Sequence, residues 1–334
     1  MAGNSMNQWS WSEILARYDK TMTTLRREVN VLVERHPILM DAPVREAESI
    51  NGEEFDITTS LPQPYLLSRG EGRAATKGQV QHGSESMAWF GNQLRVNKEY
   101  MTSQPQPAAW LQNEEMKYLE GMNQAYAEML FYGDSSTEPK EFDGLDVRYG
   151  AIADYSVFDN GASTASSLTD IWLIQWDQYD CCMIYPKGER GGIQRTPLPD
   201  APLATQTDSD NAVPDEQKKI ADFMRVNFDW KGGLCLKDPR RIKRITNIHT
   251  DNDDANAFDI RIFRQAKNAF AGKTFGTIYA YLHSDLFTQI ENAVDEKVNI
   301  HYPPNQPFAT PQAYIGQIPL RPDDRILLTN SQMT

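Results

Sequence analysis

Residues 49–101 constrain the fold of this chain more than any other stretch. Two runs of extended character, Phe55–Leu67 and Gln79–Val96, flank a Gly-rich, basic stretch from Arg69 to Gly78. That is the pattern of one long hairpin. An isolated two-stranded hairpin is at best marginally stable in water, and this one carries few apolar residues with which to pack on its own domain. It is therefore expected to need a neighbouring subunit.

The flanking sequence supplies more conventional elements. Ile14, Leu15, Tyr18, Met22, Leu25, Val29 and Leu32 recur at three- and four-residue intervals, one apolar stripe on a helix over residues 11–34 that ends near His36 and Pro37. Pro105 and Pro107 announce a long helix carrying Leu111, Tyr118, Leu119, Met122, Tyr126, Met129 and Leu130 on one face, with Gly133 just beyond it. Ile171–Trp176 and Cys182–Tyr185 read as short strands. Met224, Val226, Phe228 and Trp230 alternate with polar residues as a half-buried strand does, and Lys231–Gly233 reads as a turn into Leu234 and Leu236. Phe258, Ile262, Ala266 and Phe270 form a second helical stripe. An apolar run from Phe275 to Leu282, a helix opened by Ser284 and a Pro-interrupted edge strand over Ile318–Leu328 complete the chain. The result is a mixed α+β class with long appendages and no internal repeat.

Bulk properties narrow the function. A chain of 334 residues with 40% apolar content can bury a real core. Met1–Ser12 lacks the basic flank and continuous apolar stretch of a signal peptide, and no apolar run approaches the roughly 20 residues of a membrane span. Three cysteines, two of them adjacent, cannot be written as a disulfide framework, which suits synthesis in a reducing cytoplasm. A formal charge of -13 opposes nucleic-acid binding as the main activity, so any contact with DNA should be weak and local.

No motif for catalysis survives comparison with its plainer alternative. Gly272-Lys273-Thr274 resembles the end of a phosphate-binding loop, but the required first glycine falls at Lys267. Gly161-Ala162-Ser163-Thr164-Ala165 lacks the last glycine of a nucleophile elbow and lies in a Ser/Thr-rich loop. Asp251, Asp253 and Asp254 are followed by Ala255 and Asn256, and Ile262 stands where a calcium loop closes with Glu. The histidines at 36, 82, 249, 283 and 301 show no metal-type spacing. Neither a catalytic residue, a cofactor nor a metal is expected. Arg240, Arg241, Lys243 and Arg244 form the one compact basic cluster, interleaved with Ile242, Ile245 and Ile248, and are expected to line a solvated face making inter-subunit ion pairs.

The order of elements then becomes informative. An N-terminal arm, a long hairpin and a long helix lead into Phe131-Tyr132-Gly133-Asp134, Pro139, Phe142-Asp143-Gly144-Leu145 and Arg148-Tyr149. This resembles the HK-97-type coat fold of tailed bacteriophages. Ile171-Trp172-Leu173-Ile174 with Tyr185-Pro186-Lys187-Gly188, then Asp229-Trp230, Gly233-Leu234 and Asp238 to Ile248, are similar to the coats of short-tailed phages of the epsilon-15 type. Gly316-Gln317-Ile318-Pro319-Leu320-Arg321 with Asp324 to Thr329 fits the same pattern, so the resemblance runs from about Phe55 onward.

The resemblance implies a major capsid protein that is not an enzyme, self-assembling as hexamers and pentamers of an icosahedral shell around double-stranded DNA. It implies a layout of N-terminal arm (1–48), E-loop hairpin (49–101), peripheral domain with spine helix (102–168 and 311–334) and axial domain (169–310). Arg69, Arg73 and Lys77 at the hairpin tip would meet acidic partners on a neighbour. A hairpin beginning near residue 49 leaves room for a short arm, which implies a separate scaffolding protein beside the portal protein, and room remains for a decoration protein. The aligned Glu needed for Lys–Asn crosslinking is not found, so no covalent crosslinks are expected. The same fold also serves encapsulin nanocompartments, and a hydrolase using Asp or Glu is the alternative of a different class.

Overall fold

The computed structural model describes residues 36–102, 106–163, 167–204, 220–251, 257–270, 276–295 and 314–333. The helix expected over 11–34 lies outside them. In chain order the first elements are α1 (Pro37–Asp41), β1 (Val44–Glu46), β2 (Gly52–Ser60), β3 (Gln79–Ser86), β4 (Ala88–Asn97), α2 (Lys98–Thr102), α3 (Pro107–Tyr132), α4 (Leu145–Arg148) and β5 (Val157–Asp159). Then follow β6 (Leu168–Gln175), β7 (Cys181–Tyr185), β8 (Gln194–Ala204), β9 (Ile220–Leu236), β10 (Ile242–His249), α5 (Ile260–Asn268), β11 (Ile278–Leu282), α6 (Ser284–Asp295), β12 (Tyr314–Ile315) and β13 (Ile318–Pro322).

The chain divides into two compact units. The smaller comprises Trp89–Asn123 and Gly192–Lys231. Its strands are β4, the first part of β9, and β8, with β9 in the middle. The alternation at Met224–Trp230 does what it predicts: Val226 and Phe228 are buried, and they pack with Leu94, Val96, Met101, Trp110 and Met122. Tyr118 of α3 stacks on Phe228 with ring centroids 5.7 Å apart. The long helix begins at Pro107, where the missing N–H costs no helical bond.

The larger unit holds a mixed six-stranded sheet in the order β12-β13-β11-β6-β10-β5. Every residue of β6 is buried. Ile171 and Leu173 on one of its faces join Ile245, Ile248, Phe263, Ala266, Phe270, Leu286 and Ile290, so α5 and α6 cover that side. Each such Ile, Leu or Phe side chain contributes roughly 1.5–3 kcal/mol on burial, so this cluster is a substantial source of the unit's stability. The side chain of Asp259 caps α5 by accepting from the Arg261 N–H at 2.8 Å.

Four expectations need correction. The run Gln79–Val96 is not one hairpin strand: it divides at Met87, β3 pairing only with β2 while β4 joins β9. Beyond Met87 the residues Leu94 and Val96 have a core to enter, which the hairpin does not offer. The strand expected over Phe55–Leu67 ends at Ser60, because Pro62 and Pro64 lack the N–H a ladder requires. Lys231–Gly233 is not a turn, since β9 runs through it unbroken. The two glycines allow close approach instead: a Cβ at Gly232 would meet Tyr126 Oη at 2.7 Å, and one at Gly233 the Ser86 carbonyl oxygen at 2.5 Å. Finally, β13 stops at Pro322 and sits inside its sheet, parallel to β11 and antiparallel to β12, rather than at the edge.

Candidate functional site

The hairpin is β2 paired antiparallel with β3, from Gly52↔Ser86 to Ser60↔Gln79. Its register sets Glu53 directly opposite Glu85. Like charges so placed repel, and both side chains are buried, so each needs its own cation. Glu53 receives Arg45 Nη2 at 2.5 Å and Lys237 Nζ at 2.7 Å, and accepts the Glu48 N–H at 3.0 Å. Glu85 is held by both terminal nitrogens of Arg148, at 2.6 and 2.5 Å, the forked geometry that makes such pairs strong. Lys237 Nζ also lies 5.8 Å from the centre of the Phe55 ring. These contacts anchor the hairpin at its root.

The root should be acid-labile. Burial acts to raise the Glu53 pKa, and the hydrogen bonds from Arg45 and Lys237 overcome it, holding the carboxyl at about 2 against an ordinary 4.5. A depressed carboxylate contributes stability that is present above the unfolded value and lost as pH falls through the folded one. The root therefore weakens between about pH 4.5 and pH 2, with up to about 3 kcal/mol at stake. Thermal unfolding followed down this range should show the loss in the parent chain, whereas Glu53→Gln should start lower at neutral pH and change less. An unchanged pH profile in Glu53→Gln would disprove the assignment.

Beyond the root the hairpin has almost no support from the described residues of its own chain. Burial fades along β2 from Glu53 to an exposed Thr58-Thr59-Ser60, and residues 61–77 are exposed throughout. Leu66 is fully exposed, and Leu61 and Val80 are 71% and 62% exposed. At the tip the Glu71 N–H bonds the Ser68 carbonyl at 3.1 Å, with Gly70 at φ +93° in the left-handed region that this turn requires. Arg69, Arg73 and Lys77 project from this segment without an ion pair to any described residue. The tip is thus a basic and apolar surface that none of the described residues of its unit covers.

The second basic group behaves differently. Arg240, Arg241, Lys243 and Arg244 do not form a solvated face. Arg244 lies opposite Trp172 in the β10–β6 register, with its guanidinium 4.7 Å from the centre of that indole ring. It is 2% exposed, pairs with Asp170 at 2.5 Å and Asp146 at 2.6 Å, and donates to the Tyr149 carbonyl at 3.0 Å. Burial pushes the Asp170 carboxyl up, and Arg244 opposes that shift. Asn330 donates to the same Asp170 oxygen at 2.7 Å, which ties the C-terminal segment to the node. Lys243, in register with Leu173, is fully buried; its Nζ is 2.8 Å from Ser156 Oγ, and burial lowers its pKa to about 8. Arg241 pairs with Asp180 at 2.8 Å. Of the four, Arg240 keeps an exposed side chain, folded back onto Asp238. The carboxylates of Asp180 and Asp170 lie 61 and 74 positions away in the chain, so spacing along the sequence gave no sign of them.

The remaining candidates stay apart. Gly272-Lys273-Thr274, Asp253, Asp254 and His301 lie outside the described residues, as do Thr164 and Ala165. Gly161 lies in a loop at φ +92°, its N–H bonded to Asp159 at 2.8 Å. His36 meets Asp323 at 3.2 Å and His82 meets Asp56 at 3.0 Å, far apart in the sequence. Among the described residues no three His, Cys, Asp or Glu side chains converge as metal ligands. No helix there is long and apolar enough to cross a membrane.

Comparison with known proteins gives these surfaces a context. The family model described as major capsid protein GP7 matches residues 22–334. The chain belongs to the GP7 family of major capsid proteins. A solved structure of bacteriophage Epsilon15 superposes on this GP7 protein with a TM-score of 0.76 at 21% identity, covering 100% of this chain and 99% of that one. The bacteriophage JBD30 capsid superposes with a TM-score of 0.50 at 9% identity, covering 88% and 92%. Among curated proteins there is no match. The fold of this GP7 protein is therefore the HK-97-type phage coat fold, an α+β architecture, and the protein is a major capsid protein, a component of the virion shell. Neither the nanocompartment reading nor the hydrolase reading finds support in these likenesses.

Proposed function

We propose that copies of this chain assemble as hexamers and pentamers of an icosahedral shell around double-stranded DNA, and that the hairpin fastens each copy to its neighbour. The observation that carries this reading is the contrast within the hairpin: its root is held by two buried, ion-paired glutamates, while residues 61–77 are exposed and include Leu66, Arg69, Arg73 and Lys77. Interfaces above about 1,000 Å² per contact, repeated around a closed lattice, make assembly cooperative even where one contact is weak. The inter-subunit role of Arg69, Arg73, Lys77 and Arg240 is part of the proposal. So is the division into arm (1–48), E-loop (49–101), peripheral domain with spine helix (102–168 and 311–334) and axial domain (169–310).

The work is done by summed interface energy rather than by a catalytic step. A charge of -13 suits a container that must hold DNA and later release it, since strong phosphate binding would need clustered cations. Portal protein, a separate scaffolding protein and a decoration protein are the partners such a shell takes. The test is electron microscopy of the expressed full chain, alone and with its scaffolding protein. Hollow shells or capsomer rings are expected; a stable monomer under both conditions would overturn the proposal.

A further inference from the structure

We propose that Cys182 and Cys235 form an oxidisable pair that closes into a cross-strand disulfide within one chain. The two residues face each other in the antiparallel β7–β9 register. Directly opposed residues in such a ladder have Cα atoms about 4.5–5.5 Å apart, inside the span of about 4.4–6.8 Å that a disulfide bridges. Directly opposed residues in a ladder project to the same face, so the two thiols lie side by side. One guanidinium touches both: Arg45 Nε lies 3.3 Å from Cys182 Sγ and Nη2 lies 3.6 Å from Cys235 Sγ. Cys181, one residue away, pairs with Leu236 and points to the opposite face of the strand, so it cannot substitute for its neighbour.

The surrounding charges favour a thiolate at this position. Arg45 and Lys237 are two cations sharing the single carboxylate Glu53, which leaves one positive charge that a Cys182 thiolate would balance. The hydrogen bond from Cys235 holds the Cys182 thiol below its ordinary range against the effect of burial, with Arg45 adding to the shift, while burial pushes Cys181 well up. A thiolate beside a resolving thiol is the arrangement that oxidises readily. The pair lies in a small cluster with Ala47 and Ile184, apart from the main core. It is bordered by the three-residue strand β1, whose Val44 and Glu46 are exposed. Opening that short strand is the route for a small oxidant.

The reaction balances with a peroxide. The Cys182 thiolate attacks one oxygen of hydrogen peroxide, the O–O bond breaks, and the departing hydroxide takes a proton to become water, leaving a sulfenic acid. The Cys235 sulfur then attacks the Cys182 sulfur, the S–O bond breaks, and the proton from Cys235 leaves with the hydroxyl as a second water. The two sulfurs together give up two electrons.

To test this, the folded full chain is treated with hydrogen peroxide, unfolded in an alkylating agent, digested and mapped by mass spectrometry. The expected product links the Cys182 and Cys235 peptides with the loss of two hydrogens, leaves Cys181 alkylated and reverts with dithiothreitol. In Cys235→Ser, dimedone should trap a sulfenic acid at Cys182; in Cys182→Ser, Cys235 should remain alkylatable. Full alkylation of both thiols after peroxide, a bridge through Cys181, or bridges between chains would each overturn the proposal. The measurement reads the free chain, so its outcome is independent of whether shells form.

Discussion

A chain lacking residues 69–78 should fold normally and yet fail to form shells. Among the described residues, those at 69–78 contribute to their own unit a turn, in which the Glu71 carboxylate accepts the Ser68 N–H at 2.8 Å, and the bond from the Tyr65 hydroxyl to the Ala74 carbonyl oxygen at 2.9 Å. Removing them should change unfolding stability by no more than about 0.5 kcal/mol, as for surface changes elsewhere. Assembly is another matter, because every copy would lose the same contact. A loss of only about 1.4 kcal/mol per contact lowers each association constant tenfold, and the deficits compound around a closed lattice. Replacing Arg69, Arg73 and Lys77 together by Ala should give a milder, salt-dependent version of the same defect. Sedimentation velocity would follow assembly and thermal unfolding would follow the fold. Shells at parental yield from the deleted chain would rule out the fastening role of the tip.

Replacing Arg244 by Met should have the largest effect on the fold itself. The substitution leaves Asp170 buried, 2.5 Å from where its cation stood, with Asp146 beside it. Removing one partner of a buried pair typically costs about 3–5 kcal/mol, a large share of the stability of an ordinary domain. Combining Arg244→Met with Asp170→Asn removes the stranded charge and should restore more than half of the loss. Denaturant titration of the parent, both single variants and the double variant gives the coupling directly. Strictly additive losses would mean that the pair does not act as a unit.

The comparison between sequence and structure divides along physical lines. The long helix was legible because Pro107 fixes its start and a 3.6-residue stripe marks its buried face. The apolar runs Ile171–Ile174 and Cys182–Tyr185 made the centres of β6 and β7 legible, whereas Thr169 and Asp170, which extend β6 to Leu168, gave no such sign. The blocks from Phe131 to Thr329 that resemble phage coats point to the same class as the family match over residues 22–334. What could not be read was pairing. The Glu53–Glu85 opposition depends on hairpin register, and its cations come from positions 45, 148 and 237. The basic cluster at 240–244 was misread for the same reason, since local sequence shows four charges but not the carboxylates that β6 and neighbouring loops deliver. The Gly232-Gly233 pair was read as a turn because a glycine that admits Tyr126 or a neighbouring backbone has the same sequence signature as one that bends the chain.

The anchored root also has a mechanical consequence. Nine residues of β2 at about 3.3 Å each make the paired part of the hairpin an arm of about 30 Å. It is clamped at one end by Arg45, Lys237 and Arg148. A pivot of about 10° at that clamp would carry the far end of the arm through about 5 Å, roughly the spacing between adjacent strands. Sub-ångström adjustments among three cations and two carboxylates would thus be magnified into a whole strand's displacement at the tip. In the proposed assembly the root would act as a fulcrum, and the stiffness of five side chains would set how precisely each copy aims at the next.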